Sequence, residues 1–280
     1  MQSIFFTKLS TLGNNYLFLN FLDQVEFISD YSKLAIEMTN RQNGIFADGI
    51  IILTPSNHAD LKMTIYNNDG SRAKTCGNGL RLIGQYFMDN NPFNKNNLTI
   101  ETDSNISKIY WEDGIISADL GYAYRLLDPH SPLLNFDDLL HTTDEIKTSF
   151  GVRTVDMISM GNPHFIFYTE GDHEPFFEEM EAISRIFDVN VGIITILNES
   201  EFNLTTYERG SGFTGACGTN TAAATASAVL RQKLRPQTSL KANLPGGILY
   251  LSWTKEKKIQ ASQKASIVCC GTYFYNEDNI

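Results

Sequence analysis

Two cysteines, half a chain apart, sit in the same local context. The first closes the segment Tyr66-Asn-Asn-Asp-Gly-Ser-Arg-Ala-Lys-Thr-Cys76 and is followed by Gly77, Asn78 and Gly79. The second closes Tyr207-Glu-Arg-Gly-Ser-Gly-Phe-Thr-Gly-Ala-Cys217 and is followed by Gly218, Thr219 and Asn220. Each cysteine lies ten residues after its tyrosine (76 − 66 and 217 − 207), behind a polar, glycine-rich run and ahead of a helical pattern. A thiol in the first turn of a helix meets the positive end of the dipole, which favours the thiolate. The neighbouring backbone N–H groups are free to bind an anion. Two equivalent thiols suit stereoinversion at a carbon: one removes a proton from one face and the other returns one to the opposite face. Cysteine can serve in either role because its ordinary pKa of ~8.5 can be tuned towards neutrality. Removing the α-proton of an amino acid loads charge onto its carboxylate, and N–H groups at Gly77-Asn78 and Gly218-Thr219 could stabilise it. No lysine occupies a comparably special context, so a pyridoxal cofactor is not expected, nor is any other.

Other readings of these cysteines carry different expectations. A lone cysteine in a domain core is often only a small hydrophobe, and Cys269 and Cys270, in the apolar run Ala265-Ser-Ile-Val-Cys-Cys, read as strand residues of that kind. Zinc is disfavoured because no C-x-x-C or H-x-x-x-H occurs and the five histidines are scattered. A thiol redox sensor or a binding module is the non-enzymatic alternative; it would show disulfide cycling or binding without hydrogen exchange at a substrate carbon.

The elements that must position the thiols also recur. Gly13-Asn14-Asn15-Tyr16-Leu17-Phe18 echoes Gly161-Asn162-Pro163-His164-Phe165-Ile166, and a strand ending in Trp111 echoes one ending in Trp253. The offsets are 148 (161 − 13), 141 (217 − 76) and 142 (253 − 111), so order and spacing persist and the chain reads as two copies of one domain. Strands are expected at 3–9, 15–20, 45–53, 61–66, 152–160, 164–168, 190–197 and 202–207. Helices are expected near 30–40, 77–90, 174–187 and 218–232, the last rich in alanine and open to close wrapping by sheet. The pattern weakens over 122–148, near the start of which the domain junction is expected.

Bulk properties exclude other classes. The 280 residues suffice for two cores. Lys+Arg 22 against Asp+Glu 32 gives a net charge of −10, which argues against nucleic acid or an anionic membrane as partner. No apolar run of ~18 residues suggests a membrane span, the first residues do not read as a signal peptide, and four cysteines are too few for a disulfide scaffold. A cytoplasmic enzyme with a small-molecule substrate is expected.

Taken together, Leu12-Gly-Asn14, Gly44-Ile-Phe-Ala-Asp48-Gly49, Asn67-Asn-Asp-Gly-Ser with Cys76-Gly-Asn-Gly, Gly161-Asn-Pro-His164, Asn190-Val-Gly192, Tyr207-Glu-Arg-Gly with Ala216-Cys-Gly-Thr, and Leu244-Pro-Gly-Gly resemble the diaminopimelate epimerase family of cofactor-independent racemases over nearly the whole chain. The resemblance implies an α+β fold of two pseudo-symmetric αβ domains, each a sheet wrapped around a central helix, with the active site in the cleft between them. It implies an N-terminal domain of residues 1–121, rejoined by a final strand within 263–280, and a C-terminal domain of 122–262. It makes Cys76 and Cys217 the two acid/base residues and implies interconversion of LL- and meso-diaminopimelate, serving lysine and cell-wall precursor synthesis; a homodimer is also expected. Asn14, Asn67, Asn162, Asn190 and Arg209 match substrate-holding positions, with Gly77, Asn78, Gly218, Thr219 and Glu208 beside the thiols and His164 in a supporting role. Taken alone, His164 also reads as a structural histidine and Asn14 and Asn162 as turn residues. Departures occur at Ser10-Thr11, Asn68, Phe213, and Asn220-Thr221, where the family has small Gly-Ala. They leave the thiols intact and bear on the substrate, for which racemisation of another amino acid, such as histidine, is the alternative. An isomerase on the same scaffold lacking the second thiol is a third reading, against which both cysteines count.

Overall fold

A computed structural model describes residues 2–23, 28–73, 77–88, 93, 95–103, 105–112, 115–236, 239–263 and 265–276. Cys76, the first of the paired thiols, lies outside them. In chain order the first half contains β1 (Gln2–Thr11), β2 (Asn14–Asn20), α1 (Tyr31–Thr39), β3 (Gly49–Thr54), β4 (Leu61–Asn67), β5 (Arg72–Ala73), α2 (Gly77–Met88), β6 (Asn97–Glu101), β7 (Ile106–Glu112) and β8 (Ile115–Gly121). There follow β9 (Tyr124–Arg125), β10 (Asp128–Pro132), α3 (Phe136–Leu140), β11 (Thr143–Thr148), β12 (Gly151–Ser159), β13 (Pro163–Tyr168), α4 (Phe177–Phe187), β14 (Asn190–Asn198) and β15 (Glu201–Glu208). The chain ends through β16 (Gly212–Phe213), α5 (Gly218–Leu230), β17 (Leu240–Leu244), β18 (Gly247–Trp253), β19 (Ile259–Ser262) and β20 (Ser266–Tyr275). It divides into two compact units, residues 1–118 with 263–280, and residues 119–262.

Within the first unit β1 pairs antiparallel with β2, β2 runs parallel to β3, β3 is antiparallel to β4, and β4 is antiparallel to β5 but parallel to β6, which leads into the β6–β7–β8 meander. Within the second, β12 to β19 follow the same series: β12 antiparallel to β13, β13 parallel to β14, β14 antiparallel to β15, β15 antiparallel to β16 and parallel to β17, then β17–β18–β19. The register matches as well. Ile50 pairs with Tyr66 and Tyr66 with Arg72; Val191 pairs with Tyr207 and Tyr207 with Phe213, each residue 141 further on (191 − 50, 207 − 66, 213 − 72). Each unit therefore wraps sheet around a central helix, α2 or α5, with a second helix, α1 or α4, on the outer face.

The apolar periodicity of α2 explains its burial. Leu80, Leu82, Ile83 and Phe87 join Leu9, Phe18, Ile51 and Ile109 in one core. Helix α1, capped by Asp30 accepting from the Lys33 amide, covers the other face with Leu34, Ala35 and Met38. Helix α5 is buried at every residue from Asn220 to Leu230. Its small side chains allow that approach, and its far end is fixed by a buried polar cluster. The Arg231 guanidinium makes a two-point contact with Asp156 at 2.8 and 2.5 Å, and Ser227 and Thr143 donate to the same carboxylate.

Over 122–148, where the sequence pattern weakens, β9, β10, α3 and β11 are short elements, too brief for a periodic signal. One expectation needs correction. Cys269 and Cys270 do lie on a strand, β20, but both are exposed. Among the described pairings β20 is hydrogen-bonded only to β1, so its apolar run does not mark a core strand. Among the described residues no helix is long and apolar enough to cross a membrane.

The Arg231–Asp156 pair yields a stability test. Arg231→Ala strands a carboxylate that is 1% exposed, so urea unfolding is expected to show a loss of about 3 kcal/mol. A change within about 0.5 kcal/mol, as at an ordinary surface position, would show that the cluster does not anchor α5.

Candidate active site

The second copy of the repeated segment is described in full. Strand β15 ends at Glu208, the chain turns through Arg209-Gly210-Ser211 into β16, and Cys217 is the N-cap of α5. A cysteine is a poor cap because sulfur accepts weakly compared with the oxygen of Ser, Thr, Asn or Asp, and no conventional side-chain cap bond forms here. The helix is nevertheless tied to its cap by Thr221, whose amide and hydroxyl both donate to the Cys217 carbonyl at 2.9 and 2.7 Å. Thr221, one of the departures, thus spends its hydroxyl inside the helix. Gly218 and Thr219 form the first turn as expected, and the Thr219 Oγ1 lies 3.4 Å from the Cys217 sulfur.

The thiol differs from expectation in its protonation. Burial pushes the Cys217 thiol well above the usual range, and the Glu208 carboxylate adds to the rise. The Thr219 hydroxyl and the Asn220 amide pull in the other direction and lose. The helix dipole therefore does not yield a resting thiolate: burial and the neighbouring carboxylate favour the thiol at Cys217. Glu208 is itself fixed by the Thr214 hydroxyl, which donates to it at 2.5 Å. Phe213, where the family pattern has glutamate, instead packs among aromatics, tilted against Phe177 at 4.4 Å and edge-to-face with Tyr207 at 5.0 Å between ring centres.

The asparagines fall into two groups. Asn190 is 4% exposed and its side chain is committed: Nδ2 donates to the Pro163 carbonyl at 2.9 Å, and Oδ1 accepts from the Arg209 amide at 3.1 Å. It binds the start of β13 to the turn after β15. The Arg209 guanidinium turns outward onto Asp188, with Nη1 2.9 Å from Oδ2 and 3.2 Å from the carbonyl. Asp188 can present both because it holds the left-handed C-cap of α4, at φ 55°. Asn162 follows Gly161, whose φ of 90° turns the chain from β12 into β13, and its Oδ1 lies 2.9 Å from Nε2 of the fully buried His164. Burial pushes the His164 imidazole down to about 3, so the ring is neutral at physiological pH.

In the first unit Asn14 occupies the matching place after a tight β1–β2 turn. Leu12 and Gly13 both have positive φ, 51° and 80°, the geometry of a type I′ hairpin. The buried leucine adopts a conformation that usually costs a bulky residue energy. The Asn15 amide donates to Asp48 at 2.6 Å, which ties the turn to the Gly44–Gly49 motif. Asn67 donates to the Ser71 hydroxyl at 2.9 Å and closes the turn after β4. Helix α2 begins at Gly77, as α5 begins at Gly218, again 141 residues on (218 − 77). Asn78 is buried and accepts from Arg81, which is wholly buried. Sequence reasoning passed over Arg81, although an arginine between Leu80 and Leu82 on an apolar helix face is a visible signal that a buried charge is being held.

Comparison with solved structures assigns the architecture. A PhzF-family phenazine biosynthesis protein from Enterococcus faecalis superimposes with a TM-score of 0.67 at 13% identity, covering 98% of this chain and 100% of its own. A hydroxyproline epimerase from Agrobacterium vitis gives 0.65 at 11% identity, covering 96% and 92%. At such identities the likeness speaks for the fold alone. Sequence narrows the class. The family model described as diaminopimelate epimerase matches residues 6–125 and 157–268. A diaminopimelate epimerase of Bacillus cereus is 34% identical over 98% of this chain and 99% of its own length, and one from a Geobacillus strain is 33% identical over 98% and 100%. The chain belongs to the diaminopimelate epimerase family, and it is an isomerase.

The proximity of Glu208 to Cys217 is open to test. Alkylation of Cys217 by iodoacetamide, followed by peptide mass spectrometry across a pH series, is expected to run several-fold faster in Glu208→Gln at a given pH, with its midpoint moved to lower pH. The sign follows from removing a negative charge that opposes thiolate formation. An unmoved midpoint would show that the carboxylate does not act on the thiol.

Proposed function

We propose that this chain interconverts LL- and meso-diaminopimelate by proton transfer at an α-carbon, with Cys76 and Cys217 as the two acid/base residues and no cofactor. One observation carries the reading: Cys217 is the N-cap of a buried central helix in one copy of a duplicated unit. Cys76 precedes Gly77, the first residue of the matching helix in the other copy. Family membership supplies the reaction and its place in lysine and cell-wall precursor synthesis.

In this reading the two copies act on a common substrate. Cys217, held protonated by burial and Glu208, donates to one face while Cys76 as thiolate takes the proton from the other, and the roles exchange for the reverse reaction. The N–H groups of Gly77-Asn78 and Gly218-Thr219 receive the reacting carboxylate as its charge grows. Asn14, Asn67, Asn162 and Arg209 hold the remaining amino and carboxylate groups, and Asn190 contributes by fixing the backbone on which Arg209 is carried. Arg209 exchanges its exposed partner Asp188 for the distal carboxylate, a planar two-point contact of the kind guanidinium makes well. Racemisation of histidine is disfavoured because it would leave that guanidinium without a second carboxylate to bind.

The same reading makes the protein a cytoplasmic homodimer. Exposed Phe5, Ile267, Val268 and Phe274 on β1 and β20 support a self-association surface, and the free thiols at Cys217, Cys269 and Cys270 suit a reducing compartment.

Chiral chromatography of diaminopimelate incubated with purified enzyme tests the assignment. Cys76→Ala and Cys217→Ala are each expected to lower epimerisation by about 10³-fold or more, and substantial two-way turnover in either variant would sink the two-base scheme. Arg209→Ala is expected to raise KM by about 30-fold, the loss of about 2 kcal/mol from a charge-assisted contact, with little rescue by Arg209→Lys. Normal diaminopimelate kinetics in that variant would redirect the search to amino acids without a second carboxylate.

A further inference from the structure

Between α1 and β3, the Gly44–Gly49 segment lies against both turns that carry asparagines of the first unit. Asp48 hydrogen-bonds to each of them. Its carboxylate accepts from the Asn15 amide at 2.6 Å and its own amide donates to the Asn15 carbonyl at 2.8 Å. Its carbonyl accepts from the Asn68 amide at 3.0 Å. Asn15 follows Asn14 at the start of β2, and Asn68 follows Asn67 at the end of β4. The turn before Asn14 carries Leu12 at positive φ, a conformation that persists only where the surroundings hold it.

The second unit makes the same two ties with different atoms. Tyr16 is level with Gly49 on the parallel pair β2–β3, as His164 is with Asn190 on β13–β14. Offsets of 148 (163 − 15) and 141 (190 − 49 and 209 − 68) therefore match Asn15 to Pro163, Gly49 to Asn190 and Asn68 to Arg209. There the Asn190 carboxamide donates to the Pro163 carbonyl at 2.9 Å and accepts from the Arg209 amide at 3.1 Å. One side chain thus does what the backbone N–H and C=O of Asp48 do in the first unit. Gly49 cannot do it with a side chain, because a Cβ there would lie 2.4 Å from the Tyr66 carbonyl. The carboxylate bond follows from the partner as well. Proline has no N–H, so Pro163 asks for no acceptor and Val189 matches Asp48 (189 − 48 = 141). Asn15 keeps its N–H, and Asp48 supplies the acceptor.

We infer that Asp48 is a positioning residue: by holding Asn15 through its carboxylate and Asn68 through its carbonyl, it locks the turn bearing Asn14 to the turn bearing Asn67. Asn190 does the same for the turns bearing Asn162 and Arg209. The two units have kept the connection while exchanging the residues that make it. The consequence for the reaction rests on the proposed reading of Asn14 and Asn67 as substrate contacts; the tie itself does not.

Hydrogen exchange of the Asn15 and Asn68 amides, followed by NMR on the ¹⁵N-labelled full chain, is measured beside diaminopimelate kinetics in Asp48→Ala and Asp48→Asn. Asp48→Ala is expected to speed exchange at Asn15 by about tenfold and at Asn68 by less, since the Asp48 carbonyl remains. KM is expected to rise about tenfold, as for one lost hydrogen bond to a charged group, with kcat changed less. Asp48→Asn keeps an oxygen that can accept the Asn15 N–H, so most of both effects is expected to be reversed. Unchanged exchange at Asn15 in Asp48→Ala overturns the inference whatever the kinetics. Equal damage in the two variants also overturns it, because the charge and not the accepted bond would then be in control. Faster exchange with a normal KM overturns it too, and Asn14→Ala and Asn67→Ala then locate the fault. A KM raised in those variants leaves the substrate reading standing, whereas a normal KM removes that reading as well.

Discussion

The first N–H groups of an α-helix have no partner within the helix, and α5, half-buried at Gly218 and Thr219, begins with a residue that caps poorly. Every residue from Asn220 to Leu230 is buried, and Cys217 stands at the N-cap without an oxygen to offer. The protein therefore keeps a positive, under-satisfied helix end next to a thiol. An oxygen cap there would steady the helix by about 1 kcal/mol but would occupy the groups that, in the proposed function, receive the substrate carboxylate. The remaining structure answers that constraint: small side chains on the helix, sheet wrapped around it, Thr221 tying the cap, and Arg231 with Asp156 holding the far end.

The duplication gives the arrangement a second instance. Eight strands of each unit pair in the same order and sense, and the residues flanking the cysteine segment keep a constant spacing. The copies have diverged in how they pack. Helix α2 fills its sheet with Leu80, Ile83 and Phe87 and carries a buried arginine, whereas α5 relies on alanine and threonine. A stereoinversion that runs in both directions needs equivalent but not identical sides, because the two faces of an asymmetric carbon present different substituents to each thiol.

Much of this was legible in the sequence because it depends on local spacing. The Tyr-to-Cys interval, the Gly-Asn turns and the helix starts at Gly77 and Gly218 are set by residues close in the chain. What escaped depends on groups brought from elsewhere. The dipole argument favours a thiolate at Cys217, but burial by the surrounding sheet and the carboxylate at the end of β15 reverse it. The departure at Asn220 was visible, yet only the fold shows it fully buried with its Nδ2 donating to the Val191 carbonyl. Cys269 and Cys270 read as apolar strand residues, and only their place on β20, paired to β1, shows them to be exposed.

The central claim is that two separate groups handle the proton, one on each face of the carbon. It is tested most directly by incubating each diaminopimelate stereoisomer with enzyme in deuterium oxide, stopping at early conversion, and measuring deuterium at the α-carbon in recovered substrate and in product. A thiol that has exchanged with solvent delivers deuterium to the product, while the opposing thiol takes the substrate hydrogen and does not return it to the face it left. The account predicts deuterated product and unlabelled recovered substrate in both directions. Deuterium appearing in recovered substrate as fast as in product would mean that one base serves both faces, and would contradict it.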